Sequence, residues 1–194
     1  MALRPYFKNG VFSSKKELVS SEFIQAISIG LVRYLGVSRE AKSGAEIPTS
    51  VLLSSDGTEQ SKRIVHEFED AFETIGLEVG SAGRLEKAGL EVAFFKLGFD
   101  AGIYIREKDD EIEIEFFERG DEIGGIEATL PGGVNYRGKA KKVDHALPIP
   151  QIAVNQIEHA LNMQAALEYV KPAELVRDLE KEARMIWENS KEGI

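Results

Sequence analysis

Two short stretches of this 194-residue chain gather residue types that hold anions. The first, SSDGTEQSKR at 54–63, places Ser55, Thr58, Ser61, Lys62 and Arg63 where a short apolar run gives way to a helical pattern. Free backbone N–H groups and the dipole at a helix start favour phosphate, and hydroxyl and cationic side chains add donors. The same residue types also cap helices, because a Ser, Thr or Asp side chain accepts from those N–H groups. Capping is the preferred reading, and phosphate binding stays open beside it. The second stretch holds Arg137, Lys139, Lys141 and Lys142, next to Tyr136 and His145. A basic loop of this kind grips an anionic ligand or an acidic protein surface.

Acidic residues cluster between these two. Residues 107–127 carry ten acids against Lys108 and Arg119. Carboxylates such as Asp109, Asp110, Glu111, Glu113 and Glu115 suit Mg²⁺ or Ca²⁺. Glu alternating along one strand face, however, reads as a solvated face or a charged edge that discourages pairing, so no metal and no cofactor is expected. His66, His145 and His159 are scattered without zinc spacing. With no cysteine, disulfides, thiolate metal sites and a cysteine nucleophile are excluded. The net charge of −9 argues against nucleic acid as a partner. No apolar run reaches the roughly 18 to 20 residues of a membrane helix, and the amino terminus lacks signal-peptide patterning. These features predict a cytoplasmic protein without a membrane partner.

The elements that must position these residues follow from periodicity. Phe23, Ile27, Leu31 and Tyr34 predict an amphipathic helix capped by Ser20 or Ser21 and stopped by Gly36. Val51–Leu53 predicts a buried strand, and Ile64, Phe68, Phe72 and Ile75 a second helix ended by Gly76. LEVGSA from Leu77 reads as a strand, and 85–97 as a weaker helix in which Gly89 costs about 1 kcal/mol. DAGIYI (100–105) and EIEIEFF (111–117) read as strands, the latter half exposed. Residues 124–150 predict an extended Gly/Pro/basic connector. Beyond it come two helices, the second opened by Pro172 and striped with Leu175, Leu179, Ala183 and Ile186 or Trp187. They bury that stripe either on the α/β layer or against a second copy, the dimer being preferred.

Five strings in order resemble the first domain of the α-D-phosphohexomutases, the phosphoglucomutase and phosphomannomutase family: RPYFKNGVFSS (4–14), LVRYLG (31–36), VLLSSDGTEQS (51–61), IGLEV (75–79) and LGFDAGIYI (97–105). The likeness runs from about Arg4 to Ile123. It implies a three-layer α/β/α domain with a mixed, mainly parallel sheet over 1–123, followed by the connector at 124–150 and a carboxy-terminal helical pair over 151–194. In the family, a serine in the loop after the DAGIYI-like strand carries the phosphoryl group, beside magnesium. Here Arg106, Glu107, Lys108 and Asp109 stand in its place, and the magnesium and sugar-reading motifs of the later domains are absent.

The resemblance therefore implies a stand-alone relative without catalytic residues, binding a phosphosugar, another protein or itself as a homodimer in a regulatory or scaffolding role. The alternative is a subunit of a split phosphohexomutase, an intramolecular phosphotransferase of hexose-phosphate metabolism. On its own the chain is read as not an enzyme.

Overall fold

The computed structural model describes residues 6–8, 10–43, 50–119, 127–130, 134–137, 146–149, 151–162 and 176–192. In chain order these form β1 (Tyr6–Lys8), β2 (Val11–Lys15), α1 (Ser21–Ser43), β3 (Ser50–Ser55), α2 (Glu59–Ile75), β4 (Glu78–Arg84) and α3 (Lys87–Leu97). There follow β5 (Ala101–Lys108), β6 (Glu111–Arg119), β7 (Glu127–Leu130), β8 (Val134–Arg137), β9 (Ala146–Pro148), α4 (Gln151–Asn162), β10 (Val176–Asp178) and α5 (Glu180–Glu192). The main sheet has the order β1-β2-β6-β5-β3-β4-β10, with β9 also paired to β6, while β7 and β8 form a separate hairpin. Strands β5, β3, β4 and β10 are parallel, and β1, β2, β6 and β9 join antiparallel. The protein is thus an α/β fold built on a mixed sheet.

Strand alternation divides the core into two layers. Val51, Leu53, Ile103 and Ile105 face α1, α2 and α4, packing with Ile27, Leu31, Phe68, Phe72 and Ile157. Leu52, Tyr104 and Phe117 face the other way, with Leu90, Phe94 and Leu179 of the α3 and α5 side. Helix α2 forms as its spacing demands: Ile64, Phe68 and Phe72 are fully buried on one stripe, and Gly76 ends it in a left-handed conformation at φ 88°.

Several elements depart from the sequence expectation: β1 and β2 precede α1 where no strand was expected, and β7, β8 and β9 form within the expected connector. Helix α1 continues through Gly36 to Ser43, because the helix-compatible residues Arg39, Glu40, Ala41 and Lys42 follow and an interior glycine costs only about 1 kcal/mol. The helix expected from Pro172 is replaced over 176–178 by β10, which pairs in parallel with Val79–Ser81. Asp178 then caps α5, its Oδ1 accepting the Glu180 N–H at 3.1 Å. Strand β6 is not half exposed, since Glu115 is 5% exposed. Its carboxylate is held by Lys87 and Arg106, which is what permits a charge in the core.

Glycines set two helix contacts. A Cβ on Gly30 would run into the Ile157 backbone, so α1 and α4 cross closely there. Gly89 leaves the space into which Trp187 packs, its Cγ lying 3.0 Å from where a Cβ would be. Ile157, Leu179 and Ala183 of the carboxy-terminal elements are buried within the chain itself.

Candidate functional site

The turn between β3 and α2 is organised around Asp56. Its Oδ1 accepts from the Thr58 N–H at 3.0 Å and the Ser61 hydroxyl at 2.5 Å. Its Oδ2 accepts from the Glu107 N–H of β5 at 2.8 Å. Thr58 is the N-cap of α2, its Oγ1 accepting the Ser61 N–H at 3.2 Å. Burial pushes the Asp56 carboxyl up, but the hydrogen bonds from Ser61, Thr58 and Glu107 together outweigh it and hold it below the usual aspartate range. A carboxylate therefore already occupies the start of α2, where a bound anion would benefit from the same donors.

At the far end of β5, residues 106–109 make a tight hairpin with β6. Pairing is unbroken from Ala101 opposite Glu118 to Lys108 opposite Glu111, leaving Asp109 and Asp110 as the turn. Asp109 takes a left-handed φ of 55°, which aspartate tolerates better than most residues. Arg106 bonds Glu113 through Nε at 2.5 Å, and Lys108 reaches the same carboxylate at 3.5 Å. Glu107 pairs with Lys16 at 2.5 Å. The hydrogen bond between them holds Glu107 below and Lys16 above its ordinary pKa.

Ligands of open α/β sheets bind beyond the carboxyl ends of parallel strands. Two clefts open at that edge here, of about 600 and 510 Å³, and Arg84 and Arg184 line both. The smaller is walled by Asp56, Glu86, Tyr104 and Trp187. Burial and then the nearby Asp56 carboxylate push the Tyr104 phenol up, keeping it a neutral donor. Among the described residues no group of three or more metal-ligating side chains converges, and no helix is long and apolar enough to cross a membrane.

The structure divides the anion-binding residues read from the sequence. Ser55 and Lys62 line the larger cleft, although Ser55 Oγ also accepts from Gly57 N–H and Lys62 pairs with Glu59. Thr58 and the fully buried Ser61 serve the cap. Arg63 pairs with Glu67 and donates to the Val19 carbonyl at 3.1 Å. Arg137 lies in β8, whereas Lys139, Lys141, Lys142 and His145 fall outside the described residues. His66 contacts Glu69 at 2.7 Å, and His159 is exposed on α4. Arg84, Glu86 and Tyr104 were not singled out by sequence, and Trp187 was read there only as part of an apolar helix stripe. The Gly-Arg pair closing a strand at 83–84 and the presence of one tryptophan were the available signals.

Comparison with known proteins finds likeness in fold alone. No family model and no curated protein matches the sequence. A solved structure described as a phosphomannomutase from Thermus thermophilus superposes with a TM-score of 0.60 at 14% identity, over 92% of this chain and 34% of that one. A phosphoglucomutase/phosphomannomutase family protein from Burkholderia thailandensis gives 0.51 at 13% identity, over 90% and 33%. At such identities the likeness is one of fold. The chain spans about a third of the length of each.

Proposed function

We propose that this chain is a non-catalytic relative of the phosphohexomutase first domain, with a binding role in regulation or scaffolding linked to phosphosugars. The β5–β6 hairpin is the observation that supports it most. The family resemblance implies a serine-bearing loop at this connection, and phosphoryl cycling needs a nucleophile held there. The connection is instead a two-residue turn, and Arg106, Glu107 and Lys108 beside it are engaged with Glu113 and Lys16. None of residues 106–110 carries a hydroxyl.

The test is incubation with a hexose 1,6-bisphosphate and Mg²⁺, followed by intact-mass spectrometry and an assay for interconversion of hexose 1- and 6-phosphates. Neither a phosphoprotein nor turnover is expected. A phosphorylated serine or turnover by this chain alone would overturn the reading. Turnover that arises only after adding a chain with the family's other domains would establish the split enzyme in its place.

A further inference from the structure

We infer that the segment 176–192, which holds β10 and α5, is an exchangeable arm: it docks on the β4–α3 unit of a second copy of this chain in the same seat that it takes on its own. The inference stands apart from the non-catalytic reading above, since neither needs the other.

The seat is built from three glycines. Leu179 lies over Gly80, where a Cβ would come within 2.8 Å of its Cδ1. Glu180 lies over Gly83, within 2.6 Å of its Cγ, and Trp187 over Gly89, at 3.0 Å from its Cγ. Three recesses along β4 and α3 therefore receive three side chains of one continuous segment. The backbone is received as well, because β10 extends the open edge of β4 in parallel and the Leu179 N–H donates to the Ser81 carbonyl at 2.7 Å. Adding a strand to a sheet edge, with pockets for its side chains, is how sheets accept a segment from another molecule.

The arm carries its own local order. Asp178 caps α5, the Ala183 N–H bonds the Leu179 carbonyl at 2.8 Å, and Arg184 pairs with Glu180 and Lys191 with Glu188 one turn apart. What it takes from outside comes mainly from β4 and α3, a contiguous stretch over 78–97. Receptor and arm are thus two compact pieces of sequence joined only through the chain between them.

That separation is what admits a second copy. Every contact of the seat is kept when the arm comes from another molecule, so exchange alters only the closure of the link and the entropy of association. Glu78 and Arg177 bond across the seat at 2.8 Å yet are remote in sequence, and a long closure gives the chain's own arm little advantage over a neighbour's. An empty seat is costly, because Leu90 and Phe94 on one side and Leu179 and Ala183 on the other are buried only by this docking of the two layers of one cluster. Reciprocal exchange fills both seats and closes as a two-fold dimer.

The chain has no cysteine, so introduced thiols report without interference. Glu78→Cys and Arg177→Cys are placed on separate full-length chains, one of them lengthened by a tag; both positions are exposed, and neither is needed for the core. The two variants are unfolded, refolded together at high and at low concentration, treated with a short bismaleimide and sized. A cross-link between the unlike chains is expected, about tenfold or more abundant at the higher concentration. Glu158→Cys on α4, in place of Arg177→Cys, should give none. Wild-type protein refolded at high concentration should sediment in part as a dimer that persists on dilution.

Absence of the mixed cross-link at both concentrations would overturn the inference. Equal cross-linking with Glu158→Cys would also overturn it, as random association. A dimer of the wild-type protein without the mixed product would assign self-association to another surface. None of these results touches the phosphoprotein assay, which decides the catalytic question separately.

Discussion

The Asp56 carboxylate accepts the backbone N–H of Glu107 at 2.8 Å, tying the turn that starts α2 to the last residues of β5. The Asp56 N–H in turn donates to the Ile105 carbonyl at 3.0 Å. In doubly wound sheets, the loops above two parallel strands whose connections run to opposite sides part to leave a crevice. Here the loop above β3 is stitched down onto β5, and the open space lies on the β4 side, around Arg84.

Removing that carboxylate should be costly. Asp56→Ala leaves three donors without their acceptor and is expected to lower stability by about 2 to 4 kcal/mol in urea unfolding at pH 7. The folded pKa lies below the unfolded value of about 3.9, so the contribution is complete above that value and is lost as pH falls through the folded pKa. The gap between wild type and variant should therefore narrow below about pH 4. An equal gap at pH 7 and pH 3 would mean that the charge on Asp56 is not what holds the turn.

The ion pairs on β6 make a second expectation. Arg106 is bonded to Glu113 and Glu115, and Arg106→Ala should cost about 1 to 2 kcal/mol by stranding those carboxylates. In a background of Glu113→Gln and Glu115→Gln the same substitution should cost clearly less. A double-mutant cycle on chemical denaturation measures the difference, and equal costs in both backgrounds would refute the coupling.

Helix contact through Gly30 gives a third. Because a Cβ there meets the backbone of α4 rather than a movable side chain, Gly30→Ala should destabilise by about 1 to 3 kcal/mol despite alanine's better helix propensity. Thermal unfolding reads the sign. A stabilised variant would show that α1 and α4 are not pressed together at this point.

Helix α2 was legible in the sequence because one periodic stripe, a turn offering Ser, Thr or Asp as cap and a Gly stop all agreed, and the structure assigns the cap to Thr58. β10 was not, since Val176, Arg177 and Asp178 fit a helical stripe as well as a strand and only the open edge of β4 decides between them. The burial of Glu115 was hidden for a similar reason: alternating Glu reads as a wet face until Lys87 and Arg106 are seen to cover it. The turn at 54–63 was found, and its capping role is visible in the Thr58 and Ser61 bonds. Arg84 could not have been found by residue type, because its exposure at the cleft comes from a bulge at Gly83.

The edge strand β10 also bears on the order in which the molecule assembles. Arg177 and Glu78, joined across the β10–β4 pair, stand 99 residues apart in sequence, whereas the β5–β6 hairpin closes over two residues. Loop-closure entropy makes the hairpin an early event and the docking of β10 with α5 a late one. Since Trp187 travels with α5, its stopped-flow emission should lag the far-ultraviolet signal of the sheet during refolding. Simultaneous phases would place the carboxy-terminal segment in the folding nucleus. The last part of the chain to arrive thus carries one wall of the cleft lined by Arg84, Tyr104 and Trp187, so that cleft exists only in molecules that have completed folding.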